Sequence, residues 1–167
     1  IQALNTASDD SPETYEQCMA SPDADKWTQA MQDELNALNE NQTWSLVPQP
    51  NGRKVVGGKW VFKIKRDSKG EIDKYKARYV AQGFSQIPGL EYKETYAPTA
   101  RPKTIRLIFA LTAQFDCVLD QMDVKSAYLH SAIDEEVYLQ QPRGFEQMGA
   151  GNSKLVCKLQ KSIYGLK

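Results

Sequence analysis

Histidine is almost missing from this sequence, which has one in 167 residues, His130, and the three cysteines, Cys18, Cys117 and Cys157, show no CxxC spacing. Zinc sites draw on closely spaced Cys and His pairs, so none is readable here. No stretch approaches the roughly 18 to 20 apolar residues of a membrane-spanning helix, and the first residues lack the basic-then-apolar order of a secretion signal. There is no glycine-rich phosphate loop either. Gly57-Gly58-Lys59 has neither the spacing nor the following Ser or Thr, and internal repeats are absent. Net charge is also lacking, with 21 basic against 21 acidic residues. That balance would exclude a polyanionic partner only if the charges were evenly spread.

They are segregated. Residues 1–50 carry nine acidic side chains and one basic one, Lys26. Residues 51–79 carry ten Lys or Arg against Asp67, Glu71 and Asp73, and residues 80–167 are nearly balanced, with ten basic and nine acidic. The basic block can hold a polyanion or simply form a solvated hairpin. With 41% hydrophobic and 25% charged residues, the chain is long enough to bury a core. Cys117 and Cys157 lie in apolar surroundings and are expected to be reduced core residues of an intracellular protein. The chain starts on Ile1 and stops on Lys167 inside an apolar, glycine-containing phrase, as expected of a piece of a longer polypeptide.

SDDSPE at 8–13, with Ser21-Pro22-Asp23 following, is acidic, turn-rich and has little to bury, so residues 1–23 are expected to be a linker. From Asp23 to Asn41, Trp27, Ala30, Met31, Leu35 and Leu38 recur at helical spacing, with Asp23 and Asp25 where the helix dipole favours negative charge. TWSLVP, 43–48, reads as a strand. KWVFKIK, 59–65, and IDKYKARYVAQGF, 72–84, alternate apolar and basic residues around DSKG, 67–70, which predicts a hairpin. Strand side chains alternate faces, so Trp60, Phe62 and Ile64 would point one way and Lys59, Lys63 and Lys65 the other. TIRLIFALTAQF, 104–115, predicts a mostly buried helix with Pro102 near its first turn. CVLDQMDV, 117–124, predicts a largely buried strand, KSAYLHSAI, 125–133, a short helical turn, and VYLQQP and LVCKLQ two more strands.

Asp123 ends the predicted buried strand and precedes a tight turn. A carboxylate there needs a cation or hydrogen-bond donors to offset its desolvation, so it is either a magnesium ligand or a residue hydrogen-bonded into the turn.

The phrases KWVFKIKRDSKGEIDKYKARYVAQGFSQ (59–86), EYKETYAPTARPKTIRLIFALTA (91–113), QMDVKSAYLHSAIDEEVYLQQPRGF (121–145) and LVCKLQKSIYGLK (155–167) follow the order and spacing found in copia-type retrotransposon reverse transcriptases. DKWTQAMQDELNALNENQTWSLV (25–47) looks like that family's entry segment, and the resemblance covers residues 24–167. It implies an α+β fold, the fingers and partial palm of a right-hand nucleic-acid polymerase, with residues 1–23 as the acidic linker. It also implies roles. Asp123 matches the first catalytic aspartate, which contacts two magnesium ions, and Val124 would add a backbone carbonyl ligand. Tyr128 matches the aromatic steric gate against a ribose 2′-hydroxyl, though without the motif it reads as a core aromatic. Arg78, with Lys63 or Lys65, falls where the fingers hairpin grips the incoming triphosphate, the register being undetermined by sequence.

The implied partners are an RNA template, a DNA primer, deoxynucleoside triphosphates and the rest of a Pol polyprotein, in the cytoplasm within a virus-like particle or in the nucleus, with no membrane. One aspartate cannot hold both ions. The family completes the site from a Tyr-x-Asp-Asp hairpin, which these 167 residues do not contain, so the chain alone is expected to be inactive. Asp9-Asp10 and Glu135-Glu136 read as solvated charges rather than substitutes. His130 reads as a turn or surface residue, with a general-acid role as the rival. A different class of answer is a non-catalytic remnant or a domesticated nucleic-acid-binding module.

Overall fold

Helix α1, Tyr15–Met19, opens the folded region where a linker was expected. Thr14 caps it in a capping box with Gln17: the Thr14 Oγ1 accepts from the Gln17 N–H at 3.2 Å, and the Gln17 Oε1 accepts from the Thr14 N–H at 3.2 Å. Its Cys18 is fully buried. The computed structural model of the chain describes residues 10–86, 100–120, 122 and 133–166.

Helix α2, Ala24–Glu40, buries Trp27, Ala30, Met31, Leu35 and Leu38, the five residues picked out by helical spacing. The chain then turns through Gln42, at φ 51°, into β1, Trp44–Pro48. Strand β2, Gly58–Arg66, and β3, Ile72–Ala81, form an antiparallel two-stranded sheet. Asp67 closes its tip by accepting from the Lys69 and Glu71 N–H groups at 2.9 Å each, with Gly70 at φ 86°. A second sheet has the order β1-β5-β4, where β4 is Tyr138–Leu139 and β5 is Leu155–Leu159, and all its pairs are antiparallel. Just before β2, Val56 bridges to Leu139 of the second sheet: the Val56 N–H donates to the Tyr138 carbonyl at 2.7 Å, and the Gln140 N–H donates to the Val56 carbonyl at 2.9 Å.

One core serves both sheets. Trp27 lies edge-on to Phe62 (5.3 Å between centroids) and Tyr75 (4.8 Å), and α2 thereby closes the inner face of the hairpin. Val56, Val137, Leu139, Cys157, Leu159 and Ile163 extend the core beneath the other sheet. Aromatic pairs of this geometry contribute about 0.5–1.5 kcal/mol beyond their area burial, so Trp27 fixes how α2 sits on the hairpin. The α+β expectation holds for the described residues.

Three local expectations need correction. The helix predicted over 104–115 forms as α3, Pro102–Gln114, with Pro102 in its first turn, but none of its residues is buried. Ile105, Leu107, Ile108, Phe109 and Leu111 are spread over more than one face and all are exposed. A helix apolar on several sides needs packing partners on several sides, and the described residues supply none. The predicted buried strand at 117–124 is not one over its described part: residues 117–120 have no strand pairing, and Val118 and Met122 are 90% and 92% exposed. A strand needs a neighbour for its backbone groups, and an apolar run alone does not supply one. Cys117 is therefore exposed rather than a core residue, whereas Cys157 is buried as expected and Cys18 joins it.

Candidate nucleic-acid interface

The hairpin register decides what the basic block presents. Lys59 pairs with Val80, Val61 with Arg78, Lys63 with Lys76 and Lys65 with Lys74, while Trp60 pairs with Tyr79, Phe62 with Ala77 and Ile64 with Tyr75. Since alternate residues share a face, the aromatic set turns to the core. Lys59, Lys63, Lys65, Lys74, Lys76 and Arg78 form the other face, all exposed except the half-buried Lys76. Lys63 and Lys65, expected to share a face, do so. Arg78 joins them, diagonal to Lys63 at the spacing of about 7–8 Å typical of such pairs and one pair further from Lys65. Among the described residues no salt bridge neutralises Lys63, Lys65 or Lys74, whereas Arg66, beyond a register shift, pairs with Asp10 at 3.4 Å.

Two like-charged pairs directly opposite each other are unfavourable for an isolated hairpin. Partial burial lowers the pKa of Lys76 first, and Arg78, Lys65 and Lys74 lower it further, with Glu34 opposing. Glu34, on α2, is held above the usual carboxylate range by burial, which the Tyr79 backbone amide, Arg78 and Lys76 partly reverse. A surface that repels itself in this way is relieved by a polyanion, which can neutralise several cations together.

Arg78 differs from the lysines. Its guanidinium lies over the Tyr164 ring, 5.1 Å from the centroid. Ile163 anchors that segment in the core, the Ala81 N–H donates to the Tyr164 carbonyl at 2.8 Å, and the Gly83 N–H donates to the Gly165 carbonyl at 2.9 Å. Sequence reading missed Glu34 and Tyr164 as neighbours of Arg78, because nothing local relates positions 34, 78 and 164. Lys74 and Lys76 were legible as alternating cations, but only the register places them opposite Lys65 and Lys63.

Asp123, Val124, Tyr128 and His130 lie outside the described residues, so the expected magnesium ligands, steric gate and lone histidine are not among the geometry above. Among the described residues, no group of three or more His, Cys, Asp or Glu side chains could hold a metal ion. Glu136, weighed as part of a second carboxylate pair, is held instead by Arg53 at 2.5 Å, Lys158 at 3.4 Å and the Tyr138 hydroxyl at 2.6 Å. No helix among the described residues is long and apolar enough to cross a membrane.

A family model described as reverse transcriptase (RNA-dependent DNA polymerase) matches residues 41–167. The chain is 42% identical over 159 residues to the retrovirus-related Pol polyprotein from transposon TNT 1-94 of Nicotiana tabacum, covering 95% of this chain and 12% of that protein. It is 40% identical over 166 residues to the corresponding polyprotein from transposon RE2 of Arabidopsis thaliana, covering 99% and 11%. The chain thus spans about a tenth of the polyproteins it matches. It is also 50% identical over 90 residues to an uncharacterized mitochondrial protein of Arabidopsis thaliana, covering 54% of this chain and 53% of that protein. No solved structure matches.

Proposed function

The chain belongs to the reverse transcriptase (RNA-dependent DNA polymerase) family, and from that premise we propose that it supplies the fingers and the first part of the palm of an RNA-directed DNA polymerase working within a Pol polyprotein. Residues 24–167 carry that role and residues 1–23 lead into it. The cationic hairpin face grips phosphate: Arg78 and its diagonal neighbour Lys63 hold the incoming deoxynucleoside triphosphate, while Lys65, Lys74 and Lys76 extend the grip to the backbone of the RNA template and DNA primer. Phosphate contacts of this kind position a polyanion without reading its sequence. Tyr128 serves as the steric gate that disfavours a 2′-hydroxyl. Asp123, with the Val124 carbonyl, is the metal-binding position, and magnesium bound there would supply charge stabilisation as the primer 3′-hydroxyl, losing its proton, attacks the α-phosphate and pyrophosphate leaves.

The observation that carries this reading is the hairpin register, which gathers Lys63, Lys65 and Arg78 on one solvent-facing surface. The test is primer extension with magnesium. It compares the 167-residue chain with a chimera in which the tobacco polyprotein's sequence continues the chain through a Tyr-x-Asp-Asp motif. Activity in the chimera alone, abolished by Asp123→Asn, supports the enzyme. Extension that persists in the Asp123→Asn chimera sinks the assignment of that aspartate.

A second reading, a nucleic-acid-binding module without catalysis, is favoured by the mitochondrial relative, in which the matched stretch makes up about half of the protein rather than about a tenth. Oligonucleotide binding by the chain together with an inactive chimera would select it.

A further inference from the structure

Among the described cations of the hairpin face, Arg78 has its guanidinium over an aromatic ring, that of Tyr164. Tyr164 reaches it from 86 residues further along the sequence. The segment that delivers the ring is fixed at three points: Ile163 in the core, the Tyr164 carbonyl on the Ala81 amide, and the Gly165 carbonyl on the Gly83 amide. Gly165 adopts φ 87°, and a Cβ there would overlap the Ala81 carbonyl oxygen, so the approach is as close as a backbone allows. On another side, the Glu34 carboxyl of α2 lies near enough for the Arg78 charge to lower its pKa. A guanidinium over an aromatic face keeps its edge N–H donors free, and those donors recognise phosphate oxygens.

We propose that Tyr164 is a positioning residue for nucleotide binding: its ring holds the Arg78 guanidinium flat, with its donor edge turned toward the triphosphate site on the hairpin face. The role needs the ring and not the hydroxyl. It rests on the reading of Arg78 as a triphosphate contact.

The test uses the full 167-residue chain, with thymidine triphosphate and magnesium chloride as the probe, and calorimetry to read affinity. Tyr164→Phe should bind as the unmodified chain does. Tyr164→Leu should weaken binding about three- to fivefold, the range expected from losing a partly exposed cation–π contact, with an unchanged thermal midpoint. In an Arg78→Gln background, Tyr164→Leu should add nothing, because the ring would then have no guanidinium to hold. An equal loss in both backgrounds, or none in either, overturns the proposal while leaving Arg78 as a contact. Should Arg78→Gln leave affinity unchanged, the triphosphate reading of the hairpin fails, and the positioning role fails with it. The Arg78 side-chain N–H resonance gives an independent check: its ring-current shift should persist in Tyr164→Phe and vanish in Tyr164→Leu, and a resonance unmoved by Tyr164→Leu excludes the stacking.

Discussion

Gly165 meets Ala81 backbone to backbone, so closely that the space a side chain would need is occupied by the Ala81 carbonyl oxygen. The contact docks the 163–166 segment on the end of β3, and it admits no other residue without movement. Gly165→Ala combines a left-handed conformation for a residue with a Cβ and a steric overlap with backbone. It is expected to destabilise the chain by about 1–3 kcal/mol, seen as a lower urea midpoint with an unchanged slope. A neutral result would mean that the docking of Tyr164 on β3 does not survive in solution.

Lys63 and Lys76, directly opposite on an exposed face, should make stability and binding respond with opposite signs. Replacing Lys63 and Lys65 by Gln removes one member of each like-charged pair and should raise stability by a few tenths of a kcal/mol per site. The same change should weaken binding to a single-stranded oligonucleotide and reduce the slope of log affinity against log salt by about 0.7 per lost phosphate contact. Fluorescence anisotropy over a salt series reads the second quantity and thermal unfolding the first. Gains in both, or losses in both, would argue that the lysines are structural.

The hairpin was legible because its information is local: alternation in KWVFKIK and the polar tip DSKG dictate two faces whatever lies elsewhere. Helix α2 was legible for the same reason, its apolar stripe requiring a single surface to bury against. The neighbours of Arg78 were not, because Glu34 and Tyr164 reach it through tertiary packing that leaves no periodic trace. The burial of α3 was misjudged because apolar density measures how much surface wants covering, not whether a layer covers it. Cys18 went the same way in reverse. Its acidic surroundings read as solvated, yet the capping box at Thr14 starts a helix that turns this thiol into the core.

Tyr79 links the two sheets through a single hydroxyl, which donates to the Gln140 carbonyl at 2.8 Å, and burial pushes its phenol well above the ordinary value. Tyr79→Phe keeps the ring against Trp60, 5.3 Å between centroids, and removes only the donor. Leaving a carbonyl without that partner should cost about 1–2 kcal/mol. Protection of the Gln140 N–H from hydrogen exchange, which depends on its bond to the Val56 carbonyl, should fall with it. A loss of stability without any change at Gln140 would place the effect in ring packing instead.

The three thiols should separate by reactivity and by their effect on alkaline stability. Burial pushes Cys18 up to about 11 and Cys157 up to about 12 from an ordinary value of 9.0, while Cys117 is exposed. Near pH 8 a thiol reagent should therefore label Cys117 promptly and the other two only as the fold opens, about a hundredfold more slowly or worse. For stability, the unfolded thiols release their protons from about pH 9 while the folded ones keep theirs, so over that range the folded state binds more protons. Stability is then fully present below pH 9 and declines as pH rises through 11 to 12. Cys18→Ala and Cys157→Ala should each flatten that decline while lowering stability at pH 7 through lost packing. A urea midpoint followed from pH 7.5 to 10.5 checks both signs, and a decline unchanged in the Cys157→Ala chain would show that another group, with Tyr79 the first to examine, governs alkaline unfolding.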